Sequence, residues 1–149
     1  MAKERENING MAKEPVANSD QLPEVINIQP MIRIIRERQV MLDSDLSALY
    51  GVETRRLNEQ VKRNMERFPD DFMFQLNKDE LDNLMSQNAT SSWGGTRKLP
   101  YAFTEQGIAM LSSVLKSKTA VEVNIRIMRA FISMRRFIAT NAQLFERLE

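Results

Sequence analysis

Two short helical runs separated by a single glycine constrain the fold of this chain more than any other feature. They lie in DSDLSALYGVETRRLNEQVKRN, residues 43–64. The apolar side chains of the first run repeat at positions i, i+3 and i+4, as on one face of a helix, and Asp43 or Ser44 can cap it. Gly51 permits the positive φ that a tight turn between helices needs. The stretch therefore predicts two helices joined by a tight turn.

The second run, residues 54–68, predicts an amphipathic helix whose outer face is basic. Thr54 is a suitable N-cap, and Pro69 ends the helix because proline cannot continue it. On a helical wheel the apolar side chains form one row, and a polar sector lies opposite. The apolar row is Leu57, Val61, Met65 and Phe68. The polar sector holds Arg56, Gln60, Arg63 and Arg67, with Arg55, Glu59 and Lys62 beside it.

The flanking segments predict a small antiparallel sheet and further helices. MIRIIRERQVML is typical of a hairpin that turns at RERQ, FMFQL alternates like a half-buried strand, and LPYAF can pair with it. Asn77 or Asp79 can cap a short acidic helix, and Thr104 can cap the next one. The fold class we expect is α+β: a small domain that contains a helix-turn-helix and short antiparallel strands, followed by a long C-terminal helix.

That last helix, from about Thr119, carries two adjacent apolar rows. A helix that packs only on its own domain needs one such face, so we expect the second row to pack on another copy of the chain. The rows are Val121, Ile125, Met128 and Ile132, and Ile127, Phe131, Met134 and Ile138.

Composition divides the chain into three parts. Residues 1–23 have almost no large apolar side chains and are expected to form a disordered polar tail. Residues 24–116 form the folded domain. Residues 117–149 form the long helix, which serves packing or dimerisation and begins a coiled coil, since its apolar pattern is unbroken where it stops.

The residue types present remove most catalytic chemistry. Among 149 residues there is no cysteine and no histidine, so thiolate or imidazole nucleophiles, bases and metal ligands are excluded. The carboxylates of residues 70–82 are better explained as acids of a turn and of a first helical turn than as a nuclease metal site. We expect no enzyme activity, no metal and no cofactor. No apolar run reaches 18 residues, so we expect a cytoplasmic protein without a membrane partner.

Basic charge is concentrated locally in a nearly neutral chain. The net charge is +1, but residues 51–68 hold five cations and three acids, and residues 116–136 hold six cations and one acid. Residues 69–90, in contrast, sum to −4. Any electrostatic attraction for nucleic acid must therefore come from these segments.

The basic sector of the second helix suits the DNA major groove. Arginine can bridge guanine edges and glutamine adenine edges, while flanking cations hold phosphates. In the loop SSWGGTRK, residues 91–98, the glycines let Arg97 or Lys98 approach a phosphate, although a plain connector explains the loop equally well. The predicted DNA-contacting residues are Thr54, Arg55, Arg56, Gln60, Lys62, Arg63, Arg67, Arg97 and Lys98. The alternative is an ordinary surface helix, in which Arg55 pairs with Glu59 and Lys62 with Glu66.

Three stretches together resemble a known family. They are QVMLDSDLSALYGVETRRLNEQVKRN, RFPDDFMFQL and LPYAFTEQGIAML, within a similarity that extends over about residues 25–130. The family is the open-reading-frame-six N-terminal domain of phages and bacteria, a relative of the KilA-N and Bro-N domains. The resemblance implies a compact α+β, KilA-N-like DNA-binding domain at residues 24–116, with no cofactor.

Two functions are therefore expected as alternatives. The first is a homodimeric DNA-binding regulator of phage or mobile-element genes, whose helix-turn-helix enters the major groove of double-stranded DNA. The second is an antirepressor-type interaction module, which binds a repressor protein through the long helix and binds DNA weakly or without sequence preference.

Overall fold

A four-stranded antiparallel sheet with the strand order β1-β2-β4-β3 lies at the centre of the protein. The structure is a computed structural model that describes residues 27–87 and 98–148, with side chains up to residue 142. The predicted tail and most of the loop at residues 91–98 lie outside the described residues. The strands are β1 (Arg33–Ile35), β2 (Arg38–Leu42), β3 (Met73–Gln75) and β4 (Tyr101–Thr104).

Both predicted strand pairings are present. The hairpin of β1 and β2 closes with Ile35 opposite Arg38, and its two turn residues, Arg36 and Glu37, have φ of 56° and 63°. Positive φ at both positions matches the twist of the strands that such a turn connects. FMFQL and LPYAF pair as predicted, with Phe74 opposite Ala102. These observations confirm the short antiparallel strands.

The helices confirm the α+β class and the long C-terminal helix. A 3₁₀ turn precedes β1, and a second one follows the second helix. The helices are α1 (Asp43–Tyr50), α2 (Thr54–Lys62), α3 (Lys78–Gln87), α4 (Glu105–Leu115) and α5 (Lys118–Leu148). The 3₁₀ turns are Gln29–Met31 and Met65–Arg67.

Several predicted helix ends are confirmed. Gly51 ends α1 with φ of 75°. Thr104 caps α4 by accepting a hydrogen bond from the backbone N–H of Gly107. Asn77 caps α3 through a reciprocal pair, in which its side chain accepts from the N–H of Glu80 and the Glu80 carboxylate accepts from the N–H of Asn77, both at 2.8 Å. This pair is a capping box.

The predicted caps of α1 and α2 are wrong. Leu42 and Glu53 occupy the two N-cap positions, and neither makes a side-chain cap. Thr54 is instead the first residue of α2, and its hydroxyl lies 2.7 Å from that of Ser47. The side chain of Thr54 therefore connects α2 to α1, and that of Asp43 connects α1 to Asn58 in α2 and to Tyr101 in the sheet.

The helix α2 ends at Lys62, six residues before the predicted end. The side-chain amide of Asn64 donates to the carbonyl of Gln60 at 2.9 Å, where its own backbone N–H would bond in a continuing helix. That backbone N–H bonds the carbonyl of Val61 instead. Met65, predicted to be in the buried row, is therefore 48% exposed, whereas Phe68 is buried.

The sheet separates two apolar layers. On one face Met41, Met73 and Phe103 pack with α1, α2, α4 and α5 in the larger core. On the other face Phe74 and Leu76 pack with Leu84 of α3. The larger core holds α2 in place, because Leu57 and Val61 are both buried in it.

The two predicted apolar rows of α5 differ in burial. Ile127 and Phe131 of one row lie in the larger core, although Ile138 at the end of that row is 42% exposed, whereas Val121, Ile125 and Ile132 of the other row are 48%, 46% and 40% exposed. A buried polar chain fixes the rotation of α5, since the Tyr50 hydroxyl donates to Asn124, whose amide donates to the carbonyl of Ile108 at 2.8 Å. Burial raises the pKa of Tyr50 and keeps it the hydrogen-bond donor.

Candidate nucleic-acid interface

The buried carboxylate of Asp43 positions α2 against the rest of the domain. It accepts hydrogen bonds from the side-chain amide of Asn58 in α2 at 2.9 Å, from the N–H of Ser44 at 2.8 Å and from the N–H of Tyr101 in β4 at 3.3 Å. Burial raises the pKa of Asp43, and these three donors oppose the rise. One side chain thus joins α1, α2 and the sheet.

Four cations project from the outer side of α2 and its C-cap. All four are exposed, and among the described residues only one of them lies within salt-bridge distance of an acid. That exception is Arg55, which lies 3.7 Å from the exposed carboxylate of Glu53. The four are Arg55, Arg56, Lys62 and Arg63.

The ion pairs expected of an ordinary surface helix are not formed. Within residues 27–87 and 98–148, Arg55 does not pair with Glu59, and Lys62 does not pair with Glu66. The side chains of Arg56, Lys62 and Arg63 make no hydrogen bond or salt bridge to any described residue. These cations are therefore available to a ligand.

The rest of the predicted site is dispersed. Gln60 is half-buried at the side of α2. Arg67 belongs to the 3₁₀ turn and donates to the hydroxyl of Ser113 in α4 at 3.3 Å, so it does not share the face of α2 as predicted. Arg97 lies outside the described residues. Lys98 is exposed and reaches the same cleft as Lys62.

This cleft, of about 360 Å³, lies between α2 and residues 98–101. Arg55, Lys62 and Lys98 line it together with Asp43 and Asn58. The cations could be predicted from the sequence, but the cleft and the role of Asn58 could not. Lys62 and Lys98, which both line the cleft, are 36 positions apart, and no local pattern indicates that they are close in space.

The described residues form neither a metal site nor a membrane-spanning helix. No three carboxylates in residues 27–87 and 98–148 converge closely enough to hold a metal ion. None of the helices in these ranges is long and apolar enough to cross a bilayer.

Comparison with known families adds evidence of descent. A model of the ORF6N domain, the open-reading-frame-six N-terminal domain, matches residues 31–114, more than half of the chain. ORF6N is a phage-associated family, which is compatible with a regulatory role. Comparison with curated proteins and with solved structures gave no match. The matched segment includes α1, α2 and the whole sheet. The resemblance seen in the sequence is thus confirmed, and this chain belongs to the ORF6N domain family.

Proposed function

We propose that this protein binds double-stranded DNA with the outer side of α2 and acts as a regulator of phage or mobile-element genes. The observation that carries the proposal is the set of four exposed cations on α2 and its C-cap, three of them without a partner among the described residues. In a chain of net charge +1, so dense a local group of uncompensated cations points to an anionic ligand.

The dimensions of the helix pair agree with major-groove binding. The helix α2 has nine residues and is about 14 Å long, it follows α1 after a glycine turn, and its inner side is fixed by Leu57 and Val61. A helix-turn-helix uses its second helix in this way, with the first residues of that helix at the base edges. In this arrangement Arg55 and Arg56 at the N-terminal end read bases.

The remaining cations serve the DNA backbone. Lys62 and Arg63 lie at the far end of α2, and Lys98 lies across the cleft from Lys62. Each phosphate that such a cation neutralises adds about 0.9 to the slope of log affinity against log salt concentration. Gln60 has a lesser role than the sequence suggested, since its side chain is half-buried.

The test is selection of bound duplexes from a random pool, followed by affinity measurements at two salt concentrations. We expect an enriched motif, and Arg56→Ala with Arg63→Ala should weaken binding to it by at least about 1–3 kcal/mol. The matched control removes the same charge from exposed positions of α5, with Arg129→Ala and Arg136→Ala. Equal affinities for wild-type protein and the α2 double variant would show that α2 is not the recognition helix.

A second candidate function rests on the exposed apolar row of α5, Val121, Ile125 and Ile132. Apolar side chains at this spacing suit pairing with another helix. A second copy would give a homodimer and a palindromic DNA site, whereas a repressor protein would make the chain an antirepressor-type module. A selection that enriches no motif, combined with a stable complex through α5, would favour the module.

A further inference from the structure

One acid lies among the exposed cations of α2. Of the nine residues of this helix, all of which the structure describes, Glu59 is the only acid, and its side chain is exposed. A carboxylate in the middle of a surface proposed to bind DNA weakens the attraction to every duplex, whatever its sequence, because the phosphate backbone is anionic. Glu59 therefore serves this surface only where it contacts a group other than a phosphate.

Glu59 lies on the outermost line of the helix. It is two residues from Leu57 and two residues from Val61, the side chains of α2 that are buried in the core. Two residues turn a helix by about 200°, so the Glu59 side chain points away from both. In a helix that lies in the major groove, this line faces the base edges, and the phosphates lie to either side of it.

Neither of the neighbouring arginines neutralises Glu59. Arg55 and Arg63 lie one helical turn before and after it, at the spacing where ion pairs form along a helix. The guanidinium of Arg55 lies 3.7 Å from the carboxylate of Glu53 instead. Among residues 27–87 and 98–148, no cation is within salt-bridge distance of Glu59. Its carboxylate oxygens are therefore available to accept hydrogen bonds from a ligand.

We infer that Glu59 determines part of the DNA sequence preference, because its carboxylate accepts a hydrogen bond from the exocyclic amine of a cytosine in the major groove. This assignment rests on the proposed function, since it adds a base contact to the same helix. In the major groove cytosine presents a donor, its N4 amine, whereas guanine presents two acceptors that repel a carboxylate. Thymine presents an acceptor and a methyl group, and adenine presents its donor beside an acceptor.

The same carboxylate acts against binding at other sequences. Where no amine faces Glu59, its negative charge stays close to the phosphates and to base acceptors without a compensating hydrogen bond. A group that is favourable at one sequence and unfavourable at the others increases specificity without adding to the general affinity for DNA. Arg55 and Arg56 can then attract duplexes strongly while Glu59 limits which of them bind tightly.

The first experiment compares the duplexes that the full-length wild-type chain, Glu59→Gln and Glu66→Gln select from a random pool. Glu66 is an exposed acid of the 3₁₀ turn outside α2, so its variant removes the same charge elsewhere. In Glu59→Gln one cytosine of the motif should lose its preference in favour of adenine, which glutamine can bond, and the ratio of motif to non-motif affinity should fall at least about fivefold. Glu66→Gln should select the wild-type motif. An unchanged motif in Glu59→Gln, or the same change in both variants, would overturn the inference.

A second experiment tests the contact with the amine itself. Each cytosine of the selected motif is replaced in turn by 2-pyrimidinone, which is cytosine without its amine. At one position the replacement should weaken binding of the wild-type chain at least about fivefold, because a hydrogen bond to a charged group is lost. The same replacement should cause no further loss in Glu59→Ala, since the partner is already absent. Equal losses in the two proteins at every position would show that Glu59 contacts no cytosine amine.

The two proposals fail in different ways. If the wild-type chain enriches a motif that the Glu59 variants leave unchanged, the proposed function stands and the role of Glu59 is rejected. If the wild-type chain enriches no motif, the proposed function fails, and the role of Glu59 fails with it. Loss of folding does not explain a changed motif, because Glu59 is exposed and glutamine has nearly the same helix propensity as glutamate. Circular dichroism of each variant verifies that the fold is retained.

Discussion

At the scale of single residues, Gly107 is the position where side-chain size decides whether the fold can form. A Cβ atom there would lie 2.1 Å from the backbone oxygen of Phe72. That oxygen also accepts from the N–H and the hydroxyl of Thr104, so it cannot move without the loss of those bonds. The glycine therefore lets α4 start directly against the segment that leads into β3.

The first prediction concerns this close approach. Gly107→Ala should lower the free energy of unfolding by at least about 3 kcal/mol, because the new methyl group meets rigid backbone. Gly51→Ala is the matched control: its φ is positive, but no atom lies within 4 Å of the added Cβ. It should cost only about 1–2 kcal/mol of backbone strain. Urea unfolding measures both, and a similar loss in the two variants would refute the steric explanation.

In the hairpin turn between β1 and β2, a substitution is expected to raise the stability of the protein. Glu37 has φ of 63° and is exposed, so its side chain adds strain and no packing. Glu37→Gly should raise the free energy of unfolding by about 0.5–1 kcal/mol, since relief of the left-handed strain exceeds the entropic cost of glycine. Glu37→Ala keeps the strain and should give no gain. Thermal unfolding monitored by circular dichroism tests this, and a loss of stability in the glycine variant would disprove it.

At the scale of elements, local signals predicted the start or end of a helix only where one residue acts on its own neighbours in the sequence. Gly51, Asn77 and Thr104 act in this way, and all three were predicted correctly. The end of α2 was predicted wrongly because the apolar spacing continues to Phe68. The helix stops earlier because the side-chain amide of Asn64 bonds the carbonyl of Gln60, which the backbone N–H of Asn64 would bond in a continuing helix. Asp43 was predicted to cap α1 because its actual partners, Asn58 and Tyr101, are distant in the sequence and leave no local signal.

The surroundings of Asp43 and Glu80 predict that their contributions to the stability of the fold change with pH in opposite directions. Burial raises the pKa of Asp43 above its unfolded value, so its favourable contribution is complete below about pH 3.9 and declines as the pH rises through the folded pKa. The hydrogen bond from Arg36 lowers the pKa of Glu80, so its contribution is present above its unfolded pKa and is lost as the pH falls through the folded value.

Denaturant unfolding between about pH 3 and pH 7 tests both signs. The stability of wild-type protein relative to Asp43→Asn should fall as the pH rises, and its stability relative to Glu80→Gln should rise. The two differences should therefore change in opposite directions over the same series of buffers. If both stability differences changed with pH in the same direction, the environment of one of the two carboxylates would not be as described.

At the scale of the whole molecule, the sequence revealed the apolar rows of α5 but not which row the domain would bury. Both rows have helical spacing, and the choice depends on contacts with α1 and α4 that no local pattern contains. Asn124 decides the rotation by joining Tyr50 to the carbonyl of Ile108. The same reasoning applies to the cleft, which Lys62 and Lys98 line together only after the sheet has formed.

The exposed row gives the last prediction. If two copies pair through α5, Ile125→Asp with Ile132→Asp should convert the dimer to a monomer, because unpaired carboxylates cannot be buried in an apolar interface without a large cost. Both side chains are more than a third exposed, so the free energy of unfolding of the isolated domain should change by less than about 0.5 kcal/mol.

Sedimentation equilibrium over a range of protein concentrations measures the mass of each variant. Ile34→Asp is the control, because Ile34 is 68% exposed on the edge strand β1 and does not belong to the exposed row of α5, so its substitution should leave the dimer intact. In the monomeric variant, binding to a palindromic site should fall to the affinity for one half-site, while the contacts of α2 persist. A wild-type protein that remains monomeric at the highest concentration would reject pairing through α5 and leave the row to a different protein partner.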